Sequence, residues 1–288
     1  MKVLVTGANG FVASNLYPML TAAGHQTFAL VHKHQNAIPS YVQTLHLDDL
    51  GEHFFDVVVN LAGAGIADKR WTPARQKELF DSRVQLTHKL FDKLKHKPNV
   101  LLNASAVGYY GFDQYKTFTE DTAPNSGFTH NLCAAWEKEA ERFAEAGVRT
   151  AIFRLGVVLG DGGALAKMKW AYKFGMGGKI ASGKQYFPWV HIHDVCRFIL
   201  SAMEDDRYEG KYNLVAPHSV TQAEFAKSYG NALKRPTPFT TPAFILETIF
   251  GDMSSLLTQG QHVVPKALLD QHFEFEYAQL DGALKSLN

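Results

Sequence analysis

A glycine-rich turn directly after the first apolar run constrains the fold of this chain more than any other sequence feature. Lys2 to Thr6 is short and apolar, and Gly7-Ala8-Asn9-Gly10-Phe11-Val12-Ala13 follows it as G-x-x-G-x-x-A at the start of a helical pattern. In such a unit the first glycine permits a tight turn, and the second lets the backbone approach a pyrophosphate at the helix N-terminus. A plain tight turn is the alternative. The pattern predicts a dinucleotide site with these contacts: Gly7, Asn9, Gly10, Phe11 and Val12.

Strand and helix patterns alternate over the first 160 residues. Besides the first strand, the apolar runs predict strands over Gln26–Val31, Gln43–Leu47, Asp56–Asn60, Val100–Ser105 and Arg149–Arg154, and helices over Phe11–Ala23, Ala74–Lys95 and Asn131–Ala146. This alternation predicts an α/β protein with a Rossmann-type doubly wound parallel sheet. We expect residues 1–160 to form this domain, with return segments near 189–216, and residues 161–288 to form a smaller, mostly helical substrate domain.

Composition and charge exclude several classes of function. Lys and Arg total 29 and Asp and Glu total 28, so the net charge of +1 gives no general attraction to nucleic acid or anionic membranes. No window reaches the roughly 20 apolar residues of a membrane span, and the N-terminus lacks a signal-peptide pattern. Cys133 and Cys196 are expected to be reduced thiols. We therefore expect a cytoplasmic protein without a metal site.

The end of the second predicted strand indicates which dinucleotide is bound. NAD-type sites place an acidic residue there for the ribose hydroxyls, but this chain has Val31-His32-Lys33-His34. His32 and Lys33 suit a 2′-phosphate, which favours NADP(H), although both residues also fit a solvated loop. Three small or apolar residues after the fourth strand are further expected contacts: Leu61, Ala62 and Gly63. Asp48 or Asp49 is a weaker candidate for the adenine, because each also fits a surface position.

Several longer stretches resemble one known family. They include Ser105-Ala106-Val107-Gly108-Tyr109-Tyr110-Gly111, Trp136-Glu137, and the stretch from Gly175 to His191. The chain resembles the extended branch of the short-chain dehydrogenases/reductases, in an atypical epimerase-like NADP-binding subgroup. The resemblance implies cofactor contacts at His32, Leu61, Ala62, Glu78, Arg83 and Val158. The subgroup usually has Arg where His32 stands, which weakens the expected grip on a 2′-phosphate. Glu78 and Arg83 also fit an exposed helical pair.

The catalytic pair of the wider superfamily is missing. That superfamily uses a Tyr with a Lys four residues later, and no Tyr of this chain has such a Lys. By the resemblance, Cys133 stands at the Tyr position and Glu137 at the Lys position, and a carboxylate cannot lower the pKa of a tyrosine as an ammonium does. The remaining candidates lie after the fifth strand: Ser105, Tyr109 and Tyr110. Each tyrosine also fits a plain pocket wall, and Cys133 as nucleophile or Glu137 as acid/base is a weaker alternative.

The segment His191-Ile192-His193-Asp194 does not favour a metal site, because three ligands within four residues rarely converge on one ion. Trp189 and His191 are instead expected to border the substrate cleft, as are Gln185 and Tyr186. The sequence thus predicts an NADP(H)-binding oxidoreductase or epimerase acting on an unidentified small molecule. A non-catalytic NADP(H)-binding sensor and a structural interaction protein are the alternatives. Dimerisation through the helices over 74–95 and 131–146 is also open.

Overall fold

The computed structural model describes residues 1–31 and 38–287. The strands of the described residues are β1 (Lys2–Thr6), β2 (Gln26–Leu30), β3 (Gln43–Leu45), β4 (Val57–Asn60), β5 (Val100–Ala106), β6 (Asp113–Phe118), β7 (Arg149–Leu155), β8 (Val157–Leu159), β9 (Gly178–Ile180), β10 (Trp189–His191), β11 (Gly210–Leu214), β12 (Phe239–Thr241) and β13 (Gln261–Val263).

The helices lie between these strands and after them. They are α1 (Phe11–Ala22), α2 (Pro73–Phe80), α3 (Leu86–Lys93), α4 (Phe128–Glu145), α5 (Gly163–Lys173), α6 (Ile192–Glu204), α7 (Gln222–Ala232), α8 (Ala243–Phe250), α9 (Ser255–Thr258), α10 (Lys266–Asp270) and α11 (Leu280–Ser286). Short 3-10 turns cover Leu47–Glu52, Val107–Tyr110 and Gly251–Ser254, and a π-helical turn covers Asp81–Gln85.

Seven parallel strands form the central sheet in the order β11-β7-β5-β4-β1-β2-β3. Apolar side chains cover both faces: Val3 and Val5 join one buried cluster, whereas Leu4 joins the other. The chain runs outward from β1 to β3 and then crosses to β4 on the other side of β1. The predicted Rossmann-type α/β fold is confirmed. The strand order places a topological switch point between the carboxyl ends of β1 and β4, where such sheets bind ligands.

The helix predicted over 74–95 is interrupted in the structure. α2 ends at Phe80, the π-helical turn follows, and α3 begins at Leu86. The Thr87 hydroxyl donates a hydrogen bond to the Arg83 carbonyl at 2.8 Å and thereby takes part in this turn. Leu79 and Val84, which are both buried, lie five positions apart, a spacing that fits a π turn rather than a regular α-helix.

Of the two segments expected to return to the central sheet, one does so and the other does not. Residues 211–214 do return as β11, at the edge of the central sheet beside β7. β10, however, pairs with β8 in a separate two-stranded sheet. The chain leaves the central sheet at Gly156, where a Cβ atom would lie 2.8 Å from the Pro188 carbonyl oxygen. This close backbone approach brings β8 beside the segment that leads into β10. The division into domains at residue 160 stays a prediction.

Candidate dinucleotide site and its neighbouring polar cluster

The turn after β1 fits only glycine at its first position. Gly7 has a φ of +65°, and a Cβ atom there would lie 2.6 Å from the Leu61 carbonyl oxygen. The Gly10 amide donates to the Gly7 carbonyl at 2.7 Å and closes the turn. The turn therefore rests directly on the backbone that follows β4. Asn9 and Gly10 are exposed at this edge of the sheet, which leaves the N-terminus of α1 open to a ligand.

The side chain of Phe11, which was expected at the cofactor, has a packing role. Its ring lies against Gly160, Gly162 and Gly163, where added Cβ atoms would lie 2.5, 2.7 and 2.9 Å from ring carbons. The glycines after β8 therefore form a cradle for the ring that begins α1. Val12 is half-buried in the same region and packs against the main apolar cluster.

A row of uncharged polar side chains crosses the sheet below this turn. We call Thr6, Asn60 and Asn103 the neutral row, since they are register partners on β1, β4 and β5. The Thr6 hydroxyl donates to the Asn60 amide oxygen at 2.6 Å, and Asn60 Nδ2 donates to the Asn103 side-chain oxygen at 2.6 Å. All three side chains are fully buried. None of the three was predicted as a site residue, although each is a polar residue within a predicted buried strand.

The neutral row holds the loop that was expected to contact the cofactor. The amides of Leu61 and Ala62 both donate to the Thr6 hydroxyl oxygen at 3.1 Å. Asn60 Nδ2 also donates to the Thr87 hydroxyl at 2.8 Å, which links the row to the π-helical turn. The row thus fixes the backbone after β4 against the glycine turn after β1.

Arg83, in the π-helical turn, packs its side chain over the same loop. Its guanidinium covers Gly63, where a Cβ atom would lie 2.7 Å from Cζ, and it donates to the Ala64 carbonyl at 2.9 Å and the Leu79 carbonyl at 3.2 Å. Burial lowers the pKa of Arg83. Across residues 1–31 and 38–287, no carboxylate lies within ion-pair distance of this guanidinium. A half-buried cation without a counter-charge favours an anionic ligand.

The other residues expected to contact the cofactor either have partners of their own or lie outside the described residues. Glu78 is exposed and pairs with Arg75 at 2.7 Å, and this hydrogen bond lowers the pKa of Glu78. Glu78 thus has a partner other than Arg83. Val158 lies in β8, opposite Val190 of β10, and is half-buried against the main apolar cluster. His32 and Lys33 lie outside the described residues.

The two acids considered for the adenine both have local partners. Asp48 is exposed and accepts a hydrogen bond from Lys93 Nζ at 2.6 Å. Asp49 accepts from the His46 amide at 2.9 Å and closes the 3-10 turn over Leu47–Glu52. A role in the capping of this turn therefore explains Asp49 without a ligand.

A second polar row contains a buried ion pair. Ser105, Arg154 and Asn213 are register partners on β5, β7 and β11, and Glu137 of α4 packs above them; we call these four residues the charged row. Arg154 Nε and Nη2 each donate to a different Glu137 carboxylate oxygen at 2.9 Å. Both side chains are at most 2% exposed. Burial alone would lower the pKa of Arg154, but the Glu137 carboxylate raises it overall.

The charged row also engages two of the candidate catalytic side chains. The Ser105 hydroxyl donates to Glu137 Oε1 at 2.6 Å. The Tyr110 hydroxyl donates to the Asn213 side-chain oxygen at 2.8 Å and accepts from Arg154 Nη1 at 2.8 Å. Tyr110 is fully buried, and burial raises its pKa to about 12. These contacts give both hydroxyls a structural role.

Tyr109 differs from Tyr110 in its surroundings. Its ring is half-buried and covers the Arg154 guanidinium, whose Cζ lies 3.5 Å from the ring centroid. The His130 ring packs edge-on against it, with centroids 5.2 Å apart. Cys133 lies one turn further along α4, and burial together with the Glu137 carboxylate raises its pKa to about 12. A thiol with so high a pKa is a poor nucleophile near neutral pH.

The histidine-rich segment at β10 has a structural role. His191 Nδ1 accepts from the His193 amide at 3.1 Å, its ring contacts Tyr277, and burial lowers its pKa. Asp194 is fully buried and accepts from the Glu276 and Tyr277 amides at 2.8 and 3.0 Å. Within the described ranges, no three His, Cys, Asp or Glu side chains are grouped so that they could hold a metal ion.

The residues expected to border the substrate cleft make packing contacts and hydrogen bonds within the chain. Trp189 is buried, and Gln185 Nε2 donates to the Ile180 and Leu257 carbonyls. Tyr186 stacks on His262 with ring centroids 4.2 Å apart. A cavity of about 240 Å³ opens elsewhere, between the loop after β4, the start of α4 and the turn before α9. Its lining includes Trp71, Phe112, Phe128, Thr129, Asp252 and Ser255.

Comparison with known proteins identifies the family. The model of the "NAD dependent epimerase/dehydratase family" matches residues 3–214, which include the glycine turn, both polar rows and β11. The chain therefore belongs to the NAD dependent epimerase/dehydratase family. A second model, a domain of unknown function (DUF1731), matches residues 241–287, which begin at the end of β12.

Relatives within this family are similar along their whole length. The "Epimerase family protein YfhF" of Bacillus subtilis is 36% identical over 297 residues, covering 100% of this chain and 98% of that protein. The "Epimerase family protein SDR39U1" of Mus musculus is 36% identical over 295 residues, covering 100% and 99%. The match extends through the C-terminal segment as well as through the sheet.

Solved structures agree with the family assignment. The human epimerase family protein SDR39U1, crystallised with NADPH, superposes with a TM-score of 0.92 at 33% identity and covers 100% of this chain and 99% of that one. A UDP-glucuronic acid 4-epimerase of Bacillus cereus, in complex with UDP-glucuronic acid and NAD, superposes with a TM-score of 0.78 at 17% identity, covering 100% and 98%, and shares the fold. None of the helices in the described part of the chain is long and apolar enough to cross a membrane.

Proposed function

We propose that this family member is an NADP(H)-dependent oxidoreductase or epimerase that acts on a small molecule. The observation that carries the proposal is the Arg83 guanidinium, which lies at the switch point of the sheet without a carboxylate partner in the described residues. A phosphate beside Arg83 would supply the missing counter-charge and accept its unused N–H groups. The NADPH bound by the human relative supports this cofactor.

The surrounding residues fit a dinucleotide. We propose that Gly7, Asn9 and Gly10 face the pyrophosphate together with the N-terminus of α1, because the turn leaves no room for a Cβ atom at Gly7. Leu61, Ala62 and Gly63 would border the cofactor, held in place by the Thr6 hydroxyl. Val158, Glu78 and the backbone of Phe11 and Val12 are proposed as further contacts. The bound nicotinamide would supply a hydride or accept one.

Of the three catalytic candidates, Tyr109 is the one we propose as proton donor. Ser105 and Tyr110 have hydroxyls that already donate to Glu137 and Asn213, so we assign them to positioning. The Tyr109 ring is half-buried and covers the Arg154 guanidinium, and its hydroxyl is the one of the three for which the described residues show no hydrogen bond. The cavity that Trp71 and Phe128 line, at the start of α4, is the proposed substrate pocket.

A fluorescence titration with NADPH, and separately with NADH, tests the cofactor part of the proposal. We expect saturable binding with a preference for NADPH. Consumption of NADPH is then followed with a panel of carbonyl compounds and nucleotide sugars, and turnover that falls in Tyr109→Phe supports the catalytic part. Tyr115→Phe is the control, because it removes a hydroxyl at a position that is 90% exposed. Absence of binding to either nucleotide would refute the proposed function.

A non-catalytic NADP(H) sensor is the second candidate. The charged row favours it, because Glu137 occupies the helix position expected for the catalytic Lys and is fully engaged by Arg154. Tight NADPH binding without turnover on any of the panel would favour the sensor over the enzyme.

The preference for NADP(H) over NAD(H) is proposed to depend on His32 and Lys33. Replacing both residues with Ala should weaken NADPH binding far more than NADH binding, because only NADPH carries the 2′-phosphate. Equal losses for the two nucleotides would contradict this role. Dimerisation is a separate proposal, and sedimentation of the purified chain tests it.

A further inference from the structure

We propose that His130 is a second proton-transfer residue of this site, an inference that rests on the proposed function. Its Nδ1 lies 2.6 Å from the Tyr109 carbonyl oxygen. A carbonyl oxygen only accepts hydrogen bonds, so Nδ1 carries the hydrogen of this contact. In the neutral ring, Nε2 is then left with the lone pair and is the atom able to take up a proton.

The position of His130 on α4 directs it towards the ligand edge of the sheet. His130, Cys133 and Glu137 are spaced by three and four residues and so share one face of the helix. This face packs against the end of β5: the Ser105 hydroxyl donates to Glu137 at 2.6 Å, and a Cβ atom at Gly108 would lie 3.8 Å from the Cys133 sulfur. A Cβ atom at Gly108 would lie 3.2 Å from Thr129, the residue before His130. His130 therefore lies where parallel sheets bind their ligands.

The polar side chains next to His130 are already bound or buried, whereas Nε2 of His130 has no hydrogen-bond partner among the described residues. Glu137 holds Arg154 and the Ser105 hydroxyl, and the Cys133 thiol is buried. In the part of the chain that the structure describes, no hydrogen-bond partner contacts Nε2, and this atom is not among the buried unpaired ones. The half-buried ring thus presents a lone pair beside Tyr109.

This arrangement suits the interconversion of a secondary alcohol and a ketone. In the oxidising direction, the alcohol O–H bond breaks and Nε2 takes the proton, directly or through the Tyr109 hydroxyl. Bound NADP⁺ would accept the hydride from the carbon that carries this hydroxyl, and the C–O single bond would become a C=O bond. In the reducing direction, NADPH would supply the hydride to the carbonyl carbon, and the Nε2–H of the imidazolium would return the proton to the carbonyl oxygen, directly or through the Tyr109 hydroxyl. The proposed substrate is therefore a small hydroxyl or keto compound.

Nitrogen NMR of the ¹⁵N-histidine-labelled chain tests this placement without a substrate. We expect the neutral His130 ring to be protonated at Nδ1, and its Nε2 signal to move when saturating NADPH is added and again when NADP⁺ replaces it. His130→Gln assigns the signal. His88 of α3, which contacts Glu139 and Asp92, is the internal control and should stay unchanged. A ring protonated at Nε2, or a signal that ignores both nucleotides, would overturn the inference.

Two variants separate proton transfer from simple support of the Tyr109 backbone. The side-chain amide of His130→Asn can keep the hydrogen bond to the Tyr109 carbonyl but has no equivalent of Nε2. We expect it to lower kcat by roughly 10²-fold or more and to flatten the pH profile, with less than about a twofold change in NADPH affinity. Retained turnover in His130→Asn, with loss in His130→Ala, would assign His130 to support alone. Failure of the unmodified chain to bind NADPH would instead refute the proposed function, and this inference with it.

Discussion

The neutral row and the charged row lie side by side in one sheet but use buried polarity differently. The neutral row connects hydroxyl and amide groups, and through Thr6 it also fixes the amides of Leu61 and Ala62 beside the glycine turn. The charged row pairs Glu137 with Arg154; Tyr110 accepts a further hydrogen bond from Arg154, and Lys211 Nζ lies 3.9 Å from Glu137. The neutral row therefore fixes a stretch of backbone at the ligand edge of the sheet, whereas the charged row neutralises its own charges in an internal ion pair.

Removal of the Glu137 carboxylate should have the largest effect on stability. Glu137→Ala leaves the buried Arg154 without its counter-charge, and we expect a loss of about 3–5 kcal/mol in the free energy of unfolding, measured with urea. Glu141→Ala, one turn further along α4, removes an acid that pairs with Lys211 and is 43% exposed, and it should cost at most about 1 kcal/mol. Equal losses in the two variants would contradict the importance of the charged row.

A methyl group at Gly7 should weaken NADPH binding more severely than it lowers the stability of the fold. Gly7→Ala is strained by its positive φ and by contact with the Leu61 carbonyl, and we expect a cost of about 2–3 kcal/mol and loss of NADPH binding. Gly24→Ala has a similar φ of +77° but open space around the new atom. It should cost about 1 kcal/mol and bind NADPH normally. Normal nucleotide affinity in Gly7→Ala would show that the turn does not form the site.

Breaking the neutral row should lower the free energy of unfolding by less than breaking the charged row. Asn60→Ala leaves the Thr6, Asn103 and Thr87 side chains short of partners, and we expect a loss of about 1–2 kcal/mol. NADPH affinity should fall as well, because the loop after β4 is held less firmly. Asn131→Ala, an exposed change on α4, serves as the control in the same urea measurement. A loss as large as that of Glu137→Ala would remove the distinction between the rows.

His191 extends the comparison to a buried group that belongs to neither row and has no ion pair with any of the described residues. Burial lowers its pKa, so near pH 6.5 and below the unfolded chain binds more protons than the folded one, and stability falls as the pH falls. We expect His191→Gln to flatten the decline in unfolding free energy between pH 7 and pH 5.5. His218→Gln, at an exposed position, should leave the decline as it is. An unchanged slope in His191→Gln would show that other groups cause it.

Much of the fold could be predicted because it depends on local patterns. Buried strands such as Val57–Asn60 are continuous apolar runs, and Gly7 ends the first of them with a turn that only glycine adopts. The charged row could not be predicted, because Arg154 and Glu137 meet only through the packing of α4 on β7, and their spacing of 17 residues has no local signature. For the same reason, the sequence suggested a catalytic hydroxyl at Tyr110 without showing that Asn213 and Arg154 bind it.

The most direct test of the account is the NADPH affinity of Arg83→Gln, measured by calorimetry beside the unmodified chain and Lys89→Gln. Lys89 is an exposed cation on the neighbouring helix, so its removal changes the net charge equally. We expect Arg83→Gln to lose about 10- to 100-fold in NADPH affinity, because it removes charge-assisted hydrogen bonds to a phosphate. Lys89→Gln should lose less than about twofold. Equal NADPH affinities in all three proteins would contradict a dinucleotide site at Arg83 and the loop after β4.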